Sequence, residues 1–496
     1  MALPSVLTLY AHVTLLAASL VVSVATDAAS LLQTRLETEA AAEGETIREE
    51  LLRTYSKMAY RQTMYNFADA QYVSDVIVGK QRITGILDTG SFELVVFSGE
   101  CKGCGVAAHY LPEFSDTFRK GHLIQQMNYG SGGTTCEEAS DMVSIGPFDR
   151  KNQTFWNVQQ ANMPLLDHAA FESIIGVGPV QTAAMQFWTR LEKRTDEITK
   201  LLERGDWPSP ERLTSVLQDA DVGVSVSEGL PMLNTFDCQI FSVCNGYMPG
   251  TDGVFVWNDY LALEHPDAFV KVDTIQEHPD YFTWSANMTD LALDFPGGDS
   301  AHIACENQGC IGLIDSGTSL LLLPALFADR IQAQLSNKLN ADCSNLQELP
   351  DLTFKLGGKS FTLPPDAYVA KVINDSPKYL EDTLGIKSES RMLSASCQLM
   401  VMTSFESNFI ILGVPFLRSY YTTFYLGKTE AERAMYMAPA DSMCQPATVQ
   451  RGKFAATSAA ARSFTPPLRT IPASRIISPR LAFRHGEVQP VYTKRA

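Results

Sequence analysis

The chain has 496 residues, 45% of them hydrophobic and 19% charged, which supplies a large core and excludes a disordered or collagen-like chain. Its 39 basic and 56 acidic residues leave a net charge of -17, which repels phosphate backbones and argues against nucleic acid as a partner. Ten cysteines are too few to replace a core, so any bridges assist one.

Residues 1–25 are apolar, lack acidic residues, Lys and Arg, and end in the small residues Ser23, Val24 and Ala25. They read as a secretory signal peptide, with an uncleaved anchor as the alternative because the run nearly reaches the length of a membrane span. Residues 26–65 are charged and rich in Ala and Glu, carry Leu31, Leu32, Leu36, Ile47, Leu51 and Leu52, and show no strand-like alternation. They read as one or two exposed helices. From Tyr72 to about Met437, short β-branched runs alternate with Gly, Asn and Asp turns, the texture of an all-β chain with small helices. One interruption, 183–221, places Met185, Trp188, Leu191, Ile198 and Leu201 at helical spacing. Within it Ser209-Pro210 supplies the N-cap and first-turn proline of a second helix, so the segment reads as a helical insertion. Residues 445–496 hold nine Lys or Arg residues, one acidic residue, Glu487, and Pro466, Pro467, Pro472, Pro479 and Pro490. Without a core-facing period they read as a basic disordered tail. Sequons at Asn152, Asn287 and Asn374 would carry glycans in the secretory pathway.

The informative feature is an internal echo. Gly85-Ile86-Leu87-Asp88-Thr89-Gly90-Ser91 recurs as Gly312-Leu313-Ile314-Asp315-Ser316-Gly317-Thr318, and each copy is followed by an apolar-apolar-Gly element, Ile174-Ile175-Gly176 or Ile411-Leu412-Gly413. Two equivalent halves follow. An Asp directly after apolar residues and before a hydroxyl and a Gly describes a buried strand ending in a tight turn that aims the carboxylate inward. If the halves pack about a pseudo-twofold axis, Asp88 and Asp315 meet, and two close carboxylates share one proton because both cannot ionise cheaply. The ionised member takes a proton from water while the protonated one polarises a peptide carbonyl, which is amide hydrolysis at acidic pH without a covalent intermediate.

These residues resemble the pepsin-like aspartic protease family, over roughly Asn66 to Met437. The resemblance implies a bilobal double β-barrel with pseudo-twofold symmetry, its first lobe at 66–240 carrying the helical insertion and its second at 241–444. It implies Asp88 and Asp315 as the catalytic pair, supported by Thr89, Gly90, Ser91, Ser316, Gly317 and Thr318. A flap, Tyr129-Gly130-Ser131-Gly132, would close over an extended peptide. Cys305 with Cys310 and Cys343 with Cys397 resemble two family disulfides, and Cys101 with Cys104 a shortened third, while Cys136, Cys238, Cys244 and Cys444 stay unassigned. Residues 26–65 would be a prosegment that inhibits the enzyme intramolecularly, with Lys57 facing the carboxylates. The family further implies protein or peptide substrates, no cofactor, a monomer, and a secreted or acidic vacuolar location.

Departures from the family pattern fall near the site. Val95 stands where the family has a Trp that bonds the flap tyrosine, Phe92-Glu93 replace a small polar pair, and Val414 follows Gly413 where the family commonly has Asp. Ser316 replaces the commoner Thr and keeps its hydroxyl. These changes leave room for the alternative of a non-catalytic binding or inhibitor protein on the same fold. Cys101-Lys102-Gly103-Cys104 has the look of a zinc pair, but no second pair has ligand spacing and the eight His are scattered, so no metal is expected.

Overall fold

The computed structural model describes residues 59–129, 132–179, 182–214, 216–217, 231–275, 283–306, 309–335, 337–375, 395–404, 407–447, 467–477 and 491–494. The expected signal peptide, residues 26–58 with Lys57, positions 218–221 of the insertion, and 448–466, 478–490 and 495–496 of the tail lie outside them.

The chain divides into two units. The described part of the smaller unit is the insertion. Its helix Thr182–Glu203 buries Leu191 and Ile198, and a second helical segment starts after Ser209, whose Oγ accepts from the Arg212 N–H at 3.3 Å. Arg212 also reaches Glu197 of the first helix at 3.1 Å.

The larger unit is mainly β, and burial explains its strands. Ile240–Cys244 and Gly253–Trp257 are buried at every position, as an apolar run covered on both faces must be. Gly132–Ile145 instead alternates buried and half-buried residues, the period of a strand with one solvated face. Six antiparallel strands, Val270–Asp273, Ala434–Pro439, Tyr420–Tyr425, Ile240–Cys244, Gly253–Trp257 and Tyr60–Phe67, run side by side. They join the two halves of the sequence in one platform. Its sheet continues through the first half, and a separate eight-stranded sheet forms the second. These two large sheets are the bilobal, mainly β architecture implied by the sequence.

An aromatic stack ties the halves together. Phe241 lies 4.9 Å from Phe255 and 5.1 Å from Phe424, ring centre to ring centre, and Trp284 packs against Phe424 at 5.1 Å. Fully buried Trp284 also donates its Nε1–H to the Val177 carbonyl at 3.0 Å. Disulfides join Cys101 to Cys104, Cys305 to Cys310 and Cys343 to Cys397. A fourth, Cys244 to Cys444, spans 200 residues and pins the end of the second half to the platform. Cys136 and Cys238 are buried thiols, and burial pushes each up to about 12.

Two boundaries differ from the sequence reading. Strand Tyr60–Phe67 begins inside the segment assigned to 26–65. The tail beyond 445 is also not disordered throughout. Thr470–Pro472 is a strand parallel to Val369–Ile373, with Ile471, Ala473, Ile476 and Ile477 buried. This segment escaped the pattern reading because three paired residues and four buried apolar side chains are too few to establish a period.

Candidate active site

Asp88 ends the strand Gln81–Asp88, whose last four residues are buried and pair in parallel with Ser173–Gly176. Asp315 follows the strand Cys310–Ile314, which pairs in parallel with Phe409–Leu412 in the same way. The apolar residues before each Asp thus drive a strand into the core, and the carboxylate emerges where the strand stops. The two apolar-apolar-Gly elements are the neighbours that hold it there. The Val177 N–H donates to the Asp88 carbonyl at 2.9 Å, and the Asp315 N–H donates to the Leu412 carbonyl at 3.1 Å. The Val414 N–H donates to the Thr318 carbonyl at 2.9 Å, a main-chain role that the replacement of Asp by Val leaves intact.

The turns after the two strands repeat each other bond for bond. The Gly90 N–H donates to Asp88 Oδ1 at 2.9 Å and Ser91 Oγ to Oδ2 at 2.6 Å. The Gly317 N–H donates to Asp315 Oδ1 at 2.8 Å and Thr318 Oγ1 to Oδ2 at 2.6 Å. A second set crosses between the halves. Thr89 Oγ1 accepts from the Ser316 N–H at 2.9 Å and donates to the Ile314 carbonyl at 2.9 Å. Ser316 Oγ accepts from the Thr89 N–H at 3.0 Å and donates to the Leu87 carbonyl at 2.5 Å.

Glycine is required at both turns by close approach. A Cβ on Gly90 would stand 2.8 Å from the Asp315 carboxyl, and one on Gly317 would stand 2.5 Å from Asp88 Oδ1. Each carboxylate therefore lies against the turn that carries the other. Burial first, then the charge of Asp315 and a hydrogen bond with it, raise Asp88 well above the ordinary carboxylate range. Such a pair keeps one proton where isolated carboxylates would have lost both. It holds a base and an acid within reach of one small polar group, the requirement for activating water against a carbonyl.

Tyr129 is the last residue of the strand Arg119–Tyr129 and pairs with Gly132 across the hairpin. Gly130, Ser131 and the Tyr129 side chain lie outside the described residues. Val95 pairs in parallel with Trp156, whose Nε1–H donates to Glu93 Oε1 at 3.0 Å. An indole thus sits on the neighbouring strand, bonded to a carboxylate two residues before Val95, where the sequence shows only a missing Trp. Nothing in the spacing of residues 93 and 156 announces this pair, since it depends on a parallel register. Trp284 was likewise missed by the sequence reading. A buried aromatic behind the dyad has no local motif. The Cys101–Cys104 bridge commits both thiols that zinc would need.

The profile of the family described as eukaryotic aspartyl protease matches residues 71–201 and 268–435. The chain is 27% identical over 368 residues to vacuolar protease A of Arthroderma otae, covering 73% of this chain and 78% of that protein. It is 24% identical over 387 residues to gastricsin of Rattus norvegicus, covering 76% and 82% respectively. Pepsin A of Bos taurus is 23% identical over 389 residues, covering 76% of this chain and 88% of its own length.

Proposed function

The chain belongs to the eukaryotic aspartyl protease family, and on that premise we propose that it is an aspartic endopeptidase hydrolysing peptide bonds in proteins at acidic pH. Asp88 and Asp315 share a proton and a water. The ionised carboxylate removes a proton from the water as oxygen attacks the peptide carbon, and the protonated one donates to the carbonyl oxygen. The tetrahedral intermediate collapses when the amide nitrogen receives a proton and leaves as an amine. Thr89, Ser316, Gly90, Gly317, Ser91 and Thr318 hold the carboxylates in register. A flap at Tyr129, Gly130, Ser131 and Gly132 would cover the bound backbone.

The observation that supports this reading is the mirrored bonding of two buried carboxylates. Two buried acids held against each other, with one raised well above the ordinary carboxylate range, are the arrangement that a water-activating dyad requires. Four disulfides fit an oxidising compartment, so the enzyme would work in the secretory pathway, outside the cell or in an acidic vacuole. The part of 26–65 that precedes the strand Tyr60–Phe67 would act as the prosegment, with Lys57 paired to the dyad until acid weakens the contact. The test is cleavage of a mixed peptide library from acidic to neutral pH by wild type, Asp88→Asn and Asp315→Asn, with and without a statine-type transition-state analogue. Acid activity lost in both variants and blocked by the analogue is expected. Analogue binding without turnover would identify a non-catalytic scaffold instead.

A further inference from the structure

We propose that the C-terminal segment Arg469–Ile477 is a built-in strap that lies in the peptide cleft beside the dyad and competes with substrate for it. The inference rests on the peptidase reading above for the identity of the cleft.

The strap is anchored at one end in the second half of the molecule. Thr470–Pro472 pairs with Val369–Ile373, and the Lys371 N–H donates to the Arg469 carbonyl at 2.9 Å. Arg469 is buried; it donates to the Tyr247 carbonyl and lies 3.7 Å from Asp69. The Ser474 N–H and hydroxyl both donate to Asp375, at 2.8 and 2.5 Å.

The segment then reaches the first half. Arg475 donates to the His168 carbonyl at 2.6 Å and lies over the Phe67 ring, and its own carbonyl accepts from Gln71 Nε2 at 3.0 Å. At Ile477 it meets the active site. The Ile477 N–H donates to Ser319 Oγ at 2.9 Å, and the Ser319 N–H donates to the Ile477 carbonyl at 2.9 Å. Ser319 directly follows Thr318, whose hydroxyl holds Asp315.

This two-way exchange is how an extended peptide adds to a groove, with main-chain bonds supplying affinity and alternate side chains filling pockets. A substrate whose scissile carbonyl sits at the dyad extends about 3.3 Å per residue, so its backbone passes Ser319 within a few residues of the cut. The polar groups it would use there already serve Ile477. Ile476 and Ile477 fill the adjoining space and are almost completely buried. Substrate and strap exclude one another at this position.

The test uses the full chain with a site-specific protease sequence inserted between residues 448 and 466, cut after folding. A second form adds Ile476→Asp and Ile477→Pro, which place a charge in an apolar site and remove the N–H given to Ser319. Binding of a statine-type peptide analogue is measured by calorimetry at mildly acidic pH, where the Lys57 contact is weakened, before and after cutting, with thermal unfolding as the check on fold. Cut protein carrying the two substitutions should bind about tenfold or more tighter than uncut wild type, the gain expected when an occupied site is opened. Added peptide of residues 467–477 should reverse the gain in cut protein competitively. Equal affinity in all forms, or no binding in any, overturns the strap. Tighter binding without hydrolysis would overturn the peptidase reading and leave the strap standing, and hydrolysis indifferent to the strap would do the reverse.

Discussion

Thr89 and Ser316 each accept the other's main-chain N–H, at 2.9 and 3.0 Å, and each hydroxyl then donates to a carbonyl just before the opposite Asp. Four bonds across the interface between halves thereby fix the separation of two carboxylates that belong to different sheets. The bonds are buried, so each polar group that loses its partner loses it to an apolar surrounding.

Thr89→Ala should therefore cost about 2–6 kcal/mol, from a buried N–H and a carbonyl left unpaired at about 1–3 kcal/mol each. Thr89→Ser should restore most of it. Urea unfolding of the three proteins measures the difference, and an Ala variant as stable as wild type would show that the crossing bonds are not coupled to the fold.

Asp88→Asn and Asp315→Asn should each reduce kcat by a factor of about 10²–10⁴, the usual contribution of a positioned acid or base. Analogue affinity measured alongside separates loss of chemistry from loss of binding. Retention of full activity by either variant would remove that carboxylate from the mechanism.

Stability should follow pH in a direction set by Asp88. Its folded value is raised by burial, so the folded state keeps a proton that the unfolded state releases above about pH 3.9. The stabilisation is complete below that pH and is lost as pH rises through the folded value. Asp88→Asn, which has no proton to lose, should be more stable than wild type at pH 7, with the gap closing near pH 3. A gap independent of pH, in denaturant titrations at both values, would contradict the assignment.

Gly317→Ala places a methyl group 2.5 Å from Asp88 Oδ1, inside contact distance. Displacement of one carboxylate by about 1 Å should lower kcat about 10²-fold, since misplacement on that scale is enough. Active-site titration with the analogue, compared with turnover, tests whether chemistry falls more than binding.

Replacing both Cys244 and Cys444 by Ala should cost about 2–5 kcal/mol, the usual loss for a native bridge closing a long loop. Reduction of the wild type, which opens all four bridges, should lower the unfolding midpoint at least as far. No fall in either case would mean that packing alone holds Cys444 against the platform.

The dyad was legible because its signal is local and doubled: seven residues repeat around Asp88 and Asp315, and each repeat has its own apolar-apolar-Gly companion. Both lobes were legible from the same echo. What escaped depends on contacts between positions far apart in sequence. The Cys244–Cys444 bridge spans 200 residues, and the Trp156–Glu93 bond needs the register of two parallel strands. Arg469–Ile477 reads as tail because its composition matches its proline- and arginine-rich neighbours, and its burial comes from surfaces supplied by the rest of the chain.

The strand Tyr60–Phe67 sets a condition on any shortening of the chain's beginning. Its first five residues pair with Gly253–Trp257 and its last three with Gln71–Val73. A cut at 65 would divide one strand between two fragments and leave the first part attached only by ladder bonds. If that fragment departed, Gly253–Trp257 would become an open edge with unsatisfied donors and acceptors, a template for another chain to fill.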